Sequence, residues 1–298
     1  MNIIKVKDIF IHGFESTNKE KKLVLLYWAT RFLFTLPISI IFFLWWDSSF
    51  AGNTIVDEIL HGFDFNLLQD IVDAKDQEMT SLFKSLIITT IVLVIIVNSF
   101  LSGGFIGILS NLTAKNTTHT SHFSLRFLTY AGQYFWKNIH LICFSIILSF
   151  AISKGFYALT SYLVSPLKDS FHLYAKFIHD FSPTLLFAIS IIFIYYLVQD
   201  FARIILVVEN QNALIALQKS VFFIFNNLRS ILKMFAILLG INFLVIYIIF
   251  ILQTFIPGYT YFFMFISFLL GQFSFLFNSY FRVTLLASFI ELYKKRVS

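Results

Sequence analysis

The sequence is poor in charge, cysteine and proline. Only 13% of its 298 residues are charged, and it contains one cysteine and four prolines. Soluble domains average about 25% charged residues, so 38 charges are too few to cover the surface of a soluble fold this long. The single Cys143 excludes an intrachain disulfide and a cysteine zinc site. These shortages exclude a soluble enzyme, a disordered tail, a fibrous repeat and a disulfide scaffold.

What the chain has in abundance is apolar side chains, since 58% of its residues are hydrophobic and 40 are Phe. A helix that crosses about 30 Å of hydrocarbon needs about 20 mostly apolar residues. Six stretches meet this requirement, at about 24–46, 85–109, 138–158, 184–203, 231–256 and 259–283. The sequence therefore predicts one all-α integral membrane domain over residues 1–298, a bundle of six transmembrane helices.

The distribution of Lys and Arg predicts how these spans are oriented, because cytoplasmic loops are enriched in both residues. With the span ends included, fifteen of these residues lie before span one, in the connections between spans two and three and between spans four and five, and after span six, whereas five lie on the opposite side. Both termini are therefore predicted in the cytoplasm, which agrees with an even number of spans. The net charge of +6 reflects this asymmetry, and we expect no nucleic acid partner.

Amphipathic segments connect the spans. The outer segments 47–84 and 159–183 carry apolar residues at helical spacing and are predicted as interfacial helices. On the cytoplasmic side, residues 123–136 and 214–228 predict surface helices that precede spans three and five. Thr17 and Glu20 have the spacing of a capping box that would begin the helix of span one, and Asn212 is a candidate N-cap.

Charged residues inside or beside a span are costly and therefore mark candidate sites. Asp200 and Arg203 are three positions apart at the end of span four and can pair on one helix face. Arg31 and Arg282 either extend to the headgroups or reach Asp200 or Glu209 across the bundle. If all five lie at one depth, they form a cytoplasmic-side polar cluster that would bind a lipid headgroup or a partner protein.

Small residues predict close helix packing near the end of span two. Gly103 and Gly107 are four positions apart, a spacing that lets two helices approach closely. Packing within one chain and a dimer interface are both compatible with this pattern, and we favour the first.

Motifs of metalloproteases, serine hydrolases, nucleotide-binding loops and thiol redox centres are absent from the sequence, so we expect no cofactor, no metal and no enzyme activity.

A family resemblance rests on a few of these features. The run Asp200-Phe201-Ala202-Arg203-Ile204 follows span four, an amphipathic helix comes next, and span six continues through Arg282 to Tyr293. This layout resembles poorly characterised bacterial six-span membrane proteins, including the membrane domain fused to some glycerophosphodiester phosphodiesterases. The resemblance implies a multi-pass protein of the bacterial inner membrane, and it implies no activity.

Two functions remain open from the sequence. The first is a non-enzymatic membrane protein that binds membrane lipids or partner proteins at the cytoplasmic face. The second is a permease-like subunit of a transporter that works with a separate ATPase, since the surface helices between spans resemble those that dock such a subunit.

Overall fold

The computed structural model describes residues 6–50, 77–112, 122–164, 194–256 and 261–297. These residues form seven helices and no strand. The helices are α1 (Val6–Lys19), α2 (Lys21–Phe50), α3 (Gln77–Leu112), α4 (Phe123–Val164), α5 (194–208), α6 (Ala213–Thr254) and α7 (Tyr261–Val297). The outer segments predicted at 47–84 and 159–183 lie for the most part outside the described residues.

Among the described residues, three helices are long and apolar enough to cross a membrane. They are Ile88–Leu112 of α3, the whole of α6, and Phe265–Val297 of α7. Each overlaps one of the runs predicted from the sequence as spans two, five and six. The structure therefore supports a helical membrane protein, and the count of six spans stays a prediction.

The chain forms two compact units, Leu25–Val97 and the remainder, Met1–Val24 with Asn98–Ser298. In the larger unit, the C-terminal half of α7 forms the core. Every residue from Val283 to Ile290 is buried, and both α1 and α6 pack against α7. A helix that is buried around its circumference can be mostly apolar on every face. The two polar residues of this stretch, Thr284 and Ser288, are small and are buried as well.

The first helix crosses α7 at small side chains. Ile9, Gly13 and Thr17, spaced by four residues, are the buried positions of α1. A Cβ atom added to Gly13 would lie 2.9 Å from the backbone nitrogen of Ser288, so the two helices are in close contact at this point. This packing replaces the predicted capping box. Thr17 lies in the last turn of α1, where its hydroxyl donates to the Gly13 carbonyl at 2.9 Å, and the chain turns at Glu20 before α2 begins.

Two long helices differ from the prediction of separate surface helices. α4 and α6 each contain 42 residues and extend about 63 Å, which is twice the hydrocarbon thickness. Residues 123–136 and 213–228 are the first turns of these helices and continue into the apolar stretches without a break. Asn138 and Asn227 lie inside these continuous helices, where Asn138 donates to the Ser99 carbonyl and Asn227 to the Phe223 carbonyl. Asn212 occupies the N-cap position of α6, as predicted, but its side chain makes no capping hydrogen bond.

Glycines allow α3 to approach α4 closely. A Cβ atom on Gly103 would lie 3.1 Å from Cβ of Tyr134, and one on Gly107 would lie 2.5 Å from Cγ of Tyr130. The ring of Tyr130 is also held in place, since its hydroxyl accepts a hydrogen bond from Asn111 at 2.7 Å. The described contacts of both glycines are therefore made within one chain.

Gly107→Ala is expected to destabilise the protein by about 1–3 kcal/mol, because the new methyl group overlaps a ring that cannot move away freely. Gly132→Ala in α4 is the matched control. No atom lies within 4 Å of a Cβ placed there, so alanine should stabilise this helix by up to about 1 kcal/mol. Thermal unfolding in mild detergent measures both changes, and equal midpoints for the two variants would contradict the predicted close contact at Gly107.

Candidate functional site

The charged residues singled out from the sequence lie at several places in the structure. Arg31 belongs to the smaller unit, where it is exposed and donates to the hydroxyl of Tyr27 at 2.8 Å, with its guanidinium over the same ring. Asp200 and Arg203 lie on α5, Arg282 on α7, and Glu209 follows α5. Within the larger unit the structure brings Asp200 and Arg282 into direct contact.

Asp200 and Arg282 form a bidentate ion pair between α5 and α7. Arg282 Nη1 donates to Asp200 Oδ2 at 2.7 Å, and Nη2 donates to Oδ1 at 2.6 Å. The Asp200 side chain is 6% exposed and the Arg282 side chain 27%. Two parallel charge-assisted hydrogen bonds are the strongest arrangement open to these groups, and they let a carboxylate remain buried. The pair therefore connects α5 to the core helix.

Arg203, which the sequence suggested as the partner of Asp200, takes part in a polar row along α5. It donates to Gln199 Oε1 at 3.4 Å, and Gln199 in turn donates to the hydroxyl of Tyr195 at 2.7 Å. These residues are spaced by four positions and so share a helix face. The partner that holds Asp200 comes instead from 82 positions further along the chain.

Glu209 lies at the elbow between α5 and α6, about 13 Å along the helix axis from Asp200. Its carboxylate accepts hydrogen bonds from the Tyr293 hydroxyl of α7 and from Lys219 of α6. Asn210 follows with φ of +53°, a left-handed conformation that asparagine tolerates. Lys137 of α4 donates to the Asn210 carbonyl at 3.2 Å and to its side-chain oxygen at 2.8 Å. We call these five residues the elbow cluster, and they join α4, α6 and α7 at one turn.

Donors from neighbouring helices also satisfy carbonyls at the ends of α3 and α5. Lys294 of α7 donates to the Ser110 carbonyl in the last turn of α3, and Tyr134 donates to the Val207 carbonyl of α5 at 3.3 Å. The last carbonyls of a helix lack partners within the helix, and a cation near them is favoured by the helix dipole. These contacts fix both helix ends against the core.

The elbow cluster determines the charge state of Glu209. Although burial raises its pKa, the hydrogen bonds from Lys219 and Tyr293 hold the pKa below the ordinary value of 4.5. A carboxylate with a depressed pKa stabilises the fold above its unfolded-state pKa, and this contribution is lost as the pH falls through the folded-state value.

We therefore expect the unfolding midpoint of the wild-type protein to fall as the pH drops below 4.5. In Glu209→Gln this part of the pH dependence should be missing, because glutamine does not titrate. The measurement is the thermal midpoint between pH 7 and pH 3 for both proteins in the same detergent. If the thermal midpoints of the two proteins fall in parallel between pH 7 and pH 3, the Glu209 carboxylate is not the source of this pH dependence.

Several of these residues could not be found from the sequence. Tyr293 is 84 positions from Glu209, and Lys137 is 73 from Asn210, so no local spacing connects them. A further ion pair joins Glu20, at the turn between α1 and α2, to Arg126 of α4 at 3.0 Å. The described part of the chain contains no group of three His, Cys, Asp or Glu side chains that could hold a metal ion.

Comparison with models of protein families, with curated proteins and with solved structures finds no match. The resemblance to bacterial six-span membrane proteins therefore stays a prediction. The charged side chains of the described residues form ion pairs and hydrogen bonds between helices. The contacts of Asp200, Glu209 and Glu20 each join separate helices.

Proposed function

We propose that the chain is a six-span integral membrane protein of a bacterial inner membrane, with both termini in the cytoplasm, that binds lipids or partner proteins and is not an enzyme. The observation that carries this proposal is the surface of α6. This helix is long and apolar enough to cross a bilayer, and large side chains such as Phe243, Leu244 and Tyr247 are exposed along it. Such a surface requires a lipid or protein environment.

The internal contacts of the charged side chains favour a binding function over a catalytic one. Asp200 and Glu209 both face cationic or hydroxyl partners that hold helices together. A general acid or base needs a reactive group that reaches a substrate, whereas these carboxylates are occupied by internal contacts. Their arrangement favours a scaffold with a well-packed cytoplasmic end.

The proposed orientation is tested by reporter fusions. Fusions after Lys219 and Ser298 should report the cytoplasm, and fusions near Asp64 and His172 should report the outer face, because Lys and Arg concentrate on the cytoplasmic side. Paired reporters, one active inside and one active outside, provide the internal control at each position. An outside signal at Lys219 would overturn the assignment of spans four and five.

A permease-like subunit is the second candidate, and the first turns of α4 and α6 favour it. Leu125 and Leu128 on α4, and Leu214 and Phe222 on α6, are exposed in turns that precede the apolar stretches. A cytoplasmic ATPase would cover such a surface. Purification of the tagged protein in mild detergent, followed by mass spectrometry of bound lipids and proteins, separates the candidates. A stoichiometric ATPase supports the transporter, and lipid alone supports the first proposal.

A further inference from the structure

The outward face of α6 carries two cations between apolar side chains. Ile224, Ile231 and Leu238 are buried on one side of the helix. On the opposite side Arg229 and Lys233 are exposed, four positions apart and therefore neighbours on the surface. Exposed aromatic residues lie on both sides of this pair along the helix axis, namely Phe222, Phe225, Phe243 and Tyr247.

These two cations have no counter-ion within the described part of the chain. Among the residues that the structure describes, neither Arg229 nor Lys233 takes part in an ion pair, whereas Lys219, earlier on the same helix, is paired with Glu209. Two like charges one turn apart on a helix repel each other. An anion held between them from outside the chain would remove this repulsion.

The length of α6 is compatible with the two cations lying at the level of the lipid phosphates. From Lys233 to Thr254 the helix rises about 32 Å over about 21 residues, which matches the thickness of the hydrocarbon layer. If the C-terminal end of α6 lies at one surface of that layer, Lys233 lies at the other surface. Arg229 is one turn further out, in the headgroup region.

The apolar surface below the cations has room for acyl chains. Gly240 lies two turns beyond Lys233 and is exposed, and no atom lies within 4 Å of a Cβ placed on it. Phe243 and Tyr247 border this open position on its deeper side. A lipid with its phosphate at Arg229 and Lys233 would therefore extend its chains over Gly240.

We infer that Arg229 and Lys233 together bind the phosphate of an anionic phospholipid of the cytoplasmic leaflet, with its acyl chains along the face of α6 that contains Gly240. This inference rests on the proposal that α6 spans the membrane, and it names the lipid class and the residues. Charge complementarity selects an anionic headgroup over a zwitterionic one, because no carboxylate among the described residues pairs with either cation and could receive a choline or ethanolamine group.

The test is a titration of the purified full-length protein in mild detergent with phosphatidylglycerol or phosphatidylcholine, followed by native mass spectrometry. Since each basic residue near a membrane surface contributes about 1 kcal/mol, the dissociation constant for phosphatidylglycerol should rise about fivefold in Arg229→Gln or Lys233→Gln and about thirtyfold in the double variant. Phosphatidylcholine binding should not change. The matched control is Lys7→Gln with Lys19→Gln, which removes the same charge from exposed positions of α1.

The outcomes separate this inference from the proposed function. Equal wild-type affinity for the two lipids, or an equal loss of phosphatidylglycerol binding in the control, would overturn the site while leaving membrane integration intact. Release of the wild-type protein from membranes by alkaline carbonate would instead contradict the proposed function. A stoichiometric protein partner that is lost in the double variant, without any lipid preference, would assign the surface to a protein and also overturn the inference.

Discussion

Arg282→Gln is expected to lower the free energy of unfolding by about 3–5 kcal/mol, because it leaves the buried Asp200 carboxylate without its cation. Both oxygens of that carboxylate accept hydrogen bonds from Arg282, and the Asp200 side chain is only 6% exposed. Water cannot replace the lost donors at such a position. A change of this size corresponds to a fall of about 10 °C in the thermal midpoint.

Replacing the carboxylate of the pair should lower the free energy of unfolding by less than replacing the arginine. Asp200→Asn leaves a guanidinium whose side chain is 27% exposed and which can turn toward the surface of the protein. The double variant Asp200→Asn with Arg282→Gln should be milder than the sum of the two single changes, since no uncompensated charge remains in the core.

Thermal unfolding in detergent free of anionic lipid and the abundance of the protein in membranes measure these three variants. Arg229→Gln is the control, because it removes an exposed arginine that takes part in no ion pair among the described residues. Its midpoint should stay within about 1 °C of the wild type. Wild-type midpoints in both single variants would show that the Asp200–Arg282 pair contributes nothing to the fold.

Local sequence patterns predicted the apolar helices well and their tertiary contacts poorly. The runs at 85–109, 231–256 and 259–283 coincide with helices long and apolar enough to cross a membrane, because composition over about 20 residues decides that property. The partner of Asp200 was sought one turn away at Arg203, the neighbour that helical spacing suggests. Its observed partner is Arg282, 82 positions away. The sequence offered this contact only as one of several alternatives, because spacing along the chain does not decide between partners on different helices.

The boundaries of the helices differ from the sequence prediction for a related reason. Asn138 and Asn227 have low helix propensity. Asn138 was placed at the start of span three, and Asn227 near the end of the surface helix 214–228. In the structure both lie inside continuous helices, since their side chains donate to the carbonyls of Ser99 and Phe223. The importance of Gly13 could not be inferred either, because its close contact is with Ser288 in a helix at the other end of the sequence.

Phe289→Ala is expected to destabilise the protein by about 3–5 kcal/mol, the range for loss of a buried phenyl ring. Phe289 is fully buried on α7, and its ring centroid lies 4.7 Å from that of Phe201 on α5. Phe201 in turn lies 5.1 Å from Phe223 of α6, which is 4.9 Å from Tyr293. This aromatic cluster joins three helices, so the cavity left by alanine is enclosed by rings on several sides and cannot collapse easily.

Phe243→Ala on α6 is the matched control and tests the environment of the outward face. Phe243 is 68% exposed, and in a bilayer lipid chains can fill the space that its ring leaves, at little cost, because they are as apolar as the side chain. We expect its thermal midpoint in lipid nanodiscs to remain within about 2 °C of the wild type, while Phe289→Ala lowers the midpoint by about 10 °C. A comparable fall in both variants would mean that a protein surface covers Phe243, either a second copy of the chain or a partner. A dependence of the Phe243→Ala midpoint on protein concentration would then indicate the second copy, since dissociation of an assembly depends on concentration and unfolding of a single chain does not.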